Sequence, residues 1–460
     1  MSTRQDGGAS PTISSRDDLV GWIAAGEKPQ PKWLIGTEHE KFVFKRDGLA
    51  PVPYAGASGI RALMEGMIER FGWEPIEEGP HIIALKRPDG EAGATVSLEP
   101  GGQFELSGAA VSTLHEVAAE TVTHLDQVKK VGEGLGLGFL GAGFSPNWTL
   151  AETPQMPKQR YGVMTRYMPT VGKHGLDMMY RTSTIQVNLD FKDEADMVKK
   201  FRVSLALQPV ATALFAASPF KEGKPNGYKT LRSEVWRDTD RNRTGMLPFV
   251  FENGMCYDRY VEYALGVPMY FVYRDGRYID VAGASFREFM KGKLPQLPGE
   301  YPTVDDWSDH LTTLFPEVRM KRFLEMRGAD SGNEAKITAL SAFWVGLLYD
   351  PTALDAAWDM VRGWSVDERQ SLRDEVPKNA LDGRFRRMRI LDLAREALDI
   401  SRHGLAARKK LDDKGQDETR YLDCLAEIAK SGRTTADDML EKFNGKWQGK
   451  TDPVFAEYEY

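Results

Sequence analysis

Three stretches of the chain repeat apolar residues at helical spacing. Ile60–Phe71 is one, closed by Gly72. Residues 112–131 form a second, with Leu114, Val117, Ala118, Thr121, Leu125 and Val128 along one face. Residues 194–217 form a third, which Pro209 is expected to bend or restart. Between these lie short runs that alternate apolar and polar residues, the pattern of half-buried strands. After about residue 330 the alternation stops, and residues 354–362, 366–375 and 388–403 read as charged helices. The pattern predicts an α+β fold: a flexible tail over residues 1–15, a mixed catalytic part over 16–330 and a helical region over 331–460.

The alternating runs share one polarity. In the first, 34–44, strand geometry puts Glu38 and Glu40 on the same face with Cα atoms about 6.5–7 Å apart. In the second, residues 95–106, a Pro100-Gly101-Gly102 turn joins two strands. By parity Val96, Leu98, Phe104 and Leu106 share one face; Ser97, Glu99, Gln103 and Glu105 share the other, which carries no Lys or Arg. In the third, 180–190, Ile185, Val187 and Leu189 oppose Thr182, Thr184, Gln186, Asn188 and Asp190. In the fourth, 322–328, Glu325 and Arg327 oppose Leu324 and Met326. Four such strands predict one curved sheet whose convex side rests on helices and whose concave side is an oxygen-lined trough. Carboxylate and amide oxygens suit hard cations such as Mg²⁺ or Mn²⁺, which commonly position a nucleotide's phosphates. Arg327, beside Glu325, is suited to stabilise charge on a transferring phosphoryl group.

Composition narrows the choice of partners. A net charge of −7 speaks against a nucleic-acid surface. No stretch approaches the roughly 18 consecutive apolar residues of a membrane helix, and the polar N-terminus lacks the apolar core of a secretory signal. Two cysteines far apart, Cys256 and Cys424, give no disulfide framework, so a cytoplasmic location is expected. Residues 136–141 satisfy G-x-G-x-x-G but follow a helix pattern, so a glycine-rich strand with close backbone packing is expected instead of a dinucleotide site. No P-loop motif occurs. His39 is expected on the face opposite the two acids. Residues 229–245 mix Arg, Trp and hydroxyl side chains and read as a substrate loop with a short helix.

The strings GTEHEKF (36–42), SLEPGGQFELSG (97–108), RYGVMTRYMP (160–169), RTSTIQVNLDF (181–191), HLTTLFPEVRMKRFLEMRGAD (310–330) and DPVFAEYEY (452–460) resemble the plant-type glutamate–cysteine ligases. The resemblance runs from about Trp33 to the C-terminus. It implies a glutamine-synthetase-like carboxylate–amine ligase fold, a curved, mainly antiparallel sheet backed by helices. It also implies a reaction in which ATP phosphorylates the γ-carboxylate of glutamate and the cysteine amine displaces phosphate, the first step of glutathione synthesis. Glu38, Glu40, Glu99, Glu105, Gln186 and Glu325 match the family's metal positions, and Glu325 and Arg327 are the expected catalytic pair. Arg166, Arg232 and Trp236 are expected at the substrates, with Lys41, Arg243 and Arg327 at the nucleotide. The positions matching the plant enzymes' regulatory cysteines hold Val281, Gln296 and Thr338, so that disulfide switch is not implied. Expected partners are glutamate, cysteine and ATP, with no nucleic acid and no membrane, in a monomer or homodimer.

Two other readings stand beside this one: an enzyme of the same fold, either a γ-glutamyl ligase with a different amine acceptor or a guanidino kinase, and a catalytically dead binding or scaffold protein. A scaffold would have lost ligand acids, yet every proposed position still holds an acid or amide. Glu38→Gln and Glu325→Gln are each expected to abolish magnesium-dependent turnover while leaving the fold largely intact; wild-type turnover in both would remove the metal assignment.

Overall fold

A computed structural model describes residues 10–87 and 93–460 of the chain. Among the described residues nine strands join in one antiparallel sheet. In chain order these are β1 (Ile35–Lys45), β2 (Glu74–Glu78), β3 (His81–Lys86), β4 (Thr95–Leu98), β5 (Phe104–Ser107), β6 (Leu137–Leu140), β7 (Thr184–Leu189), β8 (Val318–Met320) and β9 (Leu324–Asp330). The spatial order is β8-β9-β7-β1-β5-β4-β3-β2, with β6 on the far half of β1. All four segments singled out by alternation therefore lie side by side. Register places Glu38 opposite Gln186, and Glu40 opposite Glu105.

Parity also fixes what backs the sheet. Val96, Leu98, Phe104 and Leu106 are buried against α1 (Ile60–Phe71) and α2 (Leu114–Leu135). Ile185, Val187, Leu324 and Met326 pack with α3 (Glu194–Leu214) and with α5 (Glu334–Leu348), which follows the short helix α4 (Leu231–Val235) in the chain. Helix α1 ends where expected, on a left-handed Gly72. Helix α3 runs unbroken through Pro209, unlike the expected bend or restart. Every residue from Val203 to Leu214 is buried, and packing on all sides holds the helix across the missing N–H. Residues 137–140 form β6, and a Cβ on Gly138 would lie 2.3 Å from the Phe44 ring, the close approach expected there.

The tail expectation needs correction for residues 10–15. Ile13 is buried, its N–H donates to the Pro302 carbonyl at 2.8 Å, and Ser15 caps the helix Arg16–Ala24. The rest of that tail, residues 1–9, lies outside the described residues. After β9 come α5, α6 (Pro351–Val361), α7 (Val366–Asn379) and α8 (Ile390–Arg408), which share one continuous apolar cluster with the sheet. No single helix among the described residues is long and apolar enough to cross a membrane.

Helices α5 and α8 meet on bare backbone. A Cβ at Gly404 would sit 1.9 Å from the Gly346 carbonyl oxygen, and one at Gly346 would sit 2.2 Å from that of Ser401. Gly404→Ala should therefore force the helices apart and cost about 1–3 kcal/mol in urea unfolding. Gly21→Ala, where no atom lies within 4 Å of the new methyl, should be neutral or stabilising by up to about 1 kcal/mol.

Candidate active site

The polar face of the sheet lines a cavity of about 760 Å³. Its acid end is built by β1 and the β4–β5 hairpin. The turn between β4 and β5 is held by Glu99 N–H donating to the Gln103 carbonyl and Gly102 N–H donating to that of Glu99, both at 2.9 Å. Gly102 takes φ +83°, which a side chain would disfavour. Glu38, Glu40, Glu99 and Glu105 all line this end, each less than a tenth exposed for the three that lie in strands. Asn188 donates to Glu38 at 2.8 Å, the Thr184 N–H to Glu40 at 3.1 Å and the Ser97 hydroxyl to Glu105 at 2.9 Å.

These neutral donors do not balance the acids. Burial, then Glu99 and Glu105, hold the Glu40 carboxyl well above the usual carboxylate range. Burial, then Glu99 and Glu38, push Glu105 up to about 8. One oxygen of Glu99 has no hydrogen-bond partner. Carboxylates held this way are a donor set for a hard divalent cation. Among the described residues no three acidic, His or Cys side chains already converge on one point, so a cation would have to draw them together.

Four arginines, Arg160, Arg232, Arg319 and Arg327, line the same cavity, with Arg160 acting electrostatically on Glu99 and Arg232 on Glu40. Arg319 and Glu325 are register partners on β8 and β9, joined by bonds of 2.8–3.1 Å. Lys321 approaches Glu325 at 3.3 Å, and Arg327 pairs with both Glu325 and Gln186. Burial opposes ionisation of Glu325, yet Arg319, Lys321 and Arg327 hold its carboxyl well below the usual range. Trp236 packs against Phe315 at 5.7 Å, with the Arg232 and Arg327 guanidinium groups about 6 Å from its ring.

Arg232 is positioned by a buried carboxylate at the end of β9. Asp330 accepts from the Ala217 N–H (2.8 Å), the Ser218 hydroxyl (2.7 Å) and the Thr230 hydroxyl (2.8 Å). Thr230 is also the N-cap of α4, which carries Arg232. Arg232 then donates to the Arg327 carbonyl at 2.9 Å. Burial lowers its pKa to about 10, which leaves it charged at neutral pH.

Of the residues expected from the sequence, the cavity brings together Glu38, Glu40, Glu99, Glu105, Gln186, Arg232, Trp236 and Arg327. Glu325 is fully buried behind Arg319 and Arg327 as their counter-ion and does not line the cavity. Three other expectations are corrected. Lys41 has the parity of His39 and lies across the sheet from the acids, with its ammonium 3.1 Å from His39 Nδ1. Arg166 is two-thirds exposed and pairs with Asp280 at 2.8 Å. Arg243 is fully buried, bonded to Asp240, Thr313 and Pro268, and stacked 3.8 Å from the Tyr270 ring. Two cavity residues escaped the sequence reading. Arg160 begins the very string that supplied Arg166, and Arg319 sits at a parity position matching Glu325 across a turn.

The profile of the glutamate-cysteine ligase family 2 matches residues 34–457. A chloroplastic glutamate–cysteine ligase of Solanum lycopersicum is 53% identical over 446 residues, covering 97% of this chain and 83% of that protein. The chloroplastic glutamate–cysteine ligase B of Oryza sativa subsp. japonica is 54% identical over 446 residues, covering 97% and 87%. Both relatives are named chloroplastic, which contradicts the cytoplasmic location expected from the sequence. Among solved structures, the glutamate–cysteine ligase of Francisella tularensis in complex with AMP aligns with a TM-score of 0.50 at 13% identity, over 93% of this chain and 91% of that one. That likeness bears on the fold, which is the glutamine-synthetase-like carboxylate–amine ligase fold expected from the sequence.

The cation cage around Glu325 changes what its removal should do. Glu325→Gln leaves Arg319, Lys321 and Arg327 without their shared counter-charge and should cost about 3–5 kcal/mol. Glu38→Gln, among other acids, should cost far less. Urea midpoints of the two variants separate these outcomes, and equal stability would show that Glu325 does not anchor the cage.

Proposed function

This chain belongs to the glutamate-cysteine ligase family 2, and from that premise we propose how its cavity divides the work of an ATP-dependent ligase joining glutamate to cysteine. The observation that carries the reading is one cavity lined by four buried carboxyl groups and four arginines. Glu38, Glu40, Glu99 and Glu105, with the Gln186 amide oxygen, would hold Mg²⁺, with Mn²⁺ as a substitute. Glu325 joins that set only if one of its three cations lets go. The cation, when bound, neutralises the nucleotide's phosphates and orients them for in-line transfer.

The chain's own residues supply the rest. Arg327, paired with Glu325 and Gln186, faces the phosphoryl group as it moves from ATP to the γ-carboxylate of glutamate. Arg319 keeps Glu325 ionised and so holds Arg327 in place. Arg160 and Arg232 present guanidinium forks suited to amino-acid carboxylates. Trp236 and Phe315 close the wall beside them and exclude water from the acyl phosphate, which the cysteine amine then attacks with loss of phosphate. On this reading the partners are small molecules only. Cys256 and Cys424 are free thiols, so a monomer or homodimer needs no disulfide.

A coupled ADP-release assay with glutamate and a panel of amines tests the acceptor. Cysteine should exceed glycine and alanine, and parity among them would leave a ligase with the wrong amine named. Chelation of divalent metal should stop ADP release, and Glu38→Gln should lower it roughly 100-fold or more. Full activity of that variant would remove the carboxylate end from the mechanism.

A further inference from the structure

Beside the Trp236–Phe315 pair lies a second, smaller cleft, which shares Arg232, Trp236, Phe315 and Arg327 with the main cavity. It adds Arg373, delivered by α7 from the helical C-terminal region. Arg373 is 5% exposed; it pairs with Glu317 and donates to the Ser233 carbonyl at 2.9 Å. Three arginines thus line the cleft against one acid, Glu317.

Each of these arginines has one buried nitrogen without a hydrogen-bond partner: Nε of Arg232, Nε of Arg327 and Nη1 of Arg373. Leaving a charged donor buried and unbonded is costly, and such groups are otherwise rare. Three around one cleft call for an acceptor with several oxygens in different directions. A planar carboxylate offers two oxygens in one plane, whereas a phosphate group offers oxygens on every side. Gly245 has no side chain to fill the space, and nothing lies within 4 Å of where its Cβ would be.

We propose that this cleft is a subsite for a phosphate group, with Arg373 as a binding residue. The inference rests on the reading of Arg327 as the phosphoryl-facing residue. Two sources share this chemistry: the inorganic phosphate released when the amine displaces it, and the terminal phosphate of the nucleotide. None of Glu38, Glu40, Glu99 and Glu105 lines the cleft, and Trp236 and Phe315 line both it and the main cavity.

The test compares the wild-type enzyme with Arg373→Met/Glu317→Gln, which removes the ion pair as a unit and leaves no buried charge unpaired, and with Arg373→Lys. The Ki for inorganic phosphate should rise about tenfold in the double variant and by less in Arg373→Lys, which keeps the charge and loses the fork. KM for glutamate and for cysteine should stay as in wild type. An unchanged KM for ATP assigns the subsite to released phosphate, and a KM for ATP that rises in parallel assigns it to the nucleotide. An unchanged phosphate Ki, or a change confined to KM for an amino acid, overturns the proposal. Should the double variant fail to fold, calorimetric titration of wild-type enzyme with inorganic phosphate decides: saturable binding weakened in Arg373→Lys supports the subsite, and its absence overturns it. Arg327→Met separates the two readings, because retained turnover in that variant removes the underlying assignment whatever phosphate does.

Discussion

Four carboxyl groups cannot share a dry cavity unaided, and the architecture follows from how their charge is met. Removing an ionised carboxylate from water costs several kcal/mol, and like charges nearby add to it. Neutral donors, Asn188, the Thr184 N–H and Ser97, serve Glu38, Glu40 and Glu105, and burial with the neighbouring acids raises the carboxyl pKa of Glu40 and Glu105. Four arginines line the same cavity, supplied by β8, β9, α4 and the helix Gln159–Tyr167. Strand parity gathers the acids on the cavity side. With the acids and amides of β1, β5 and β7 turned one way, the other face is left to α1, α2, α3 and α5.

Parity is also what made the acid end legible without coordinates. Glu38, Glu40, Glu99, Glu105 and Gln186 stand at alternating positions or in a marked turn, and a two-residue period needs no tertiary information. The same rule excludes Lys41, which is one residue out of phase with its neighbours and was placed at the nucleotide by the family resemblance. The arginines could not be read this way. Arg160 and Arg232 come from a helix and a loop-borne helix, and which arginine of a string such as Arg160 or Arg166 faces inward depends on how that helix docks. Arg243 shows the converse: a guanidinium in a promising loop is taken up by Asp240, Thr313 and Pro268 as a structural staple. The helical C-terminal region was recognisable by pattern, but its reach into the cavity wall through Arg373 was not.

Asp330 ties these two ends of the problem together. It closes β9, five residues beyond Glu325, and holds Ala217, Ser218 and Thr230 in one buried node. A Cβ on Gly143 would fall 2.2 Å from the Asp330 carboxyl carbon, so the neighbouring chain passes this node on a glycine. Through Thr230 the node fixes the start of α4, and through α4 it fixes Arg232 and Trp236. The strand carrying Arg327 and the segment carrying Arg232 are therefore tied to the same buried node.

The Glu325 cage gives that rigidity a consequence for binding. Arg327 is held by Glu325 and Gln186, so an incoming phosphoryl group must compete with both for its guanidinium. If it succeeds, Glu325 loses one of three cations while the acid end gains a partner able to bridge phosphate and carboxylate, a divalent cation. Phosphate binding at Arg327 then frees oxygen ligands, and cation binding at those ligands frees Arg327. The two events favour each other by the same factor in either order. Buried charge that destabilises the empty cavity thus becomes coupling between nucleotide and metal once both are present.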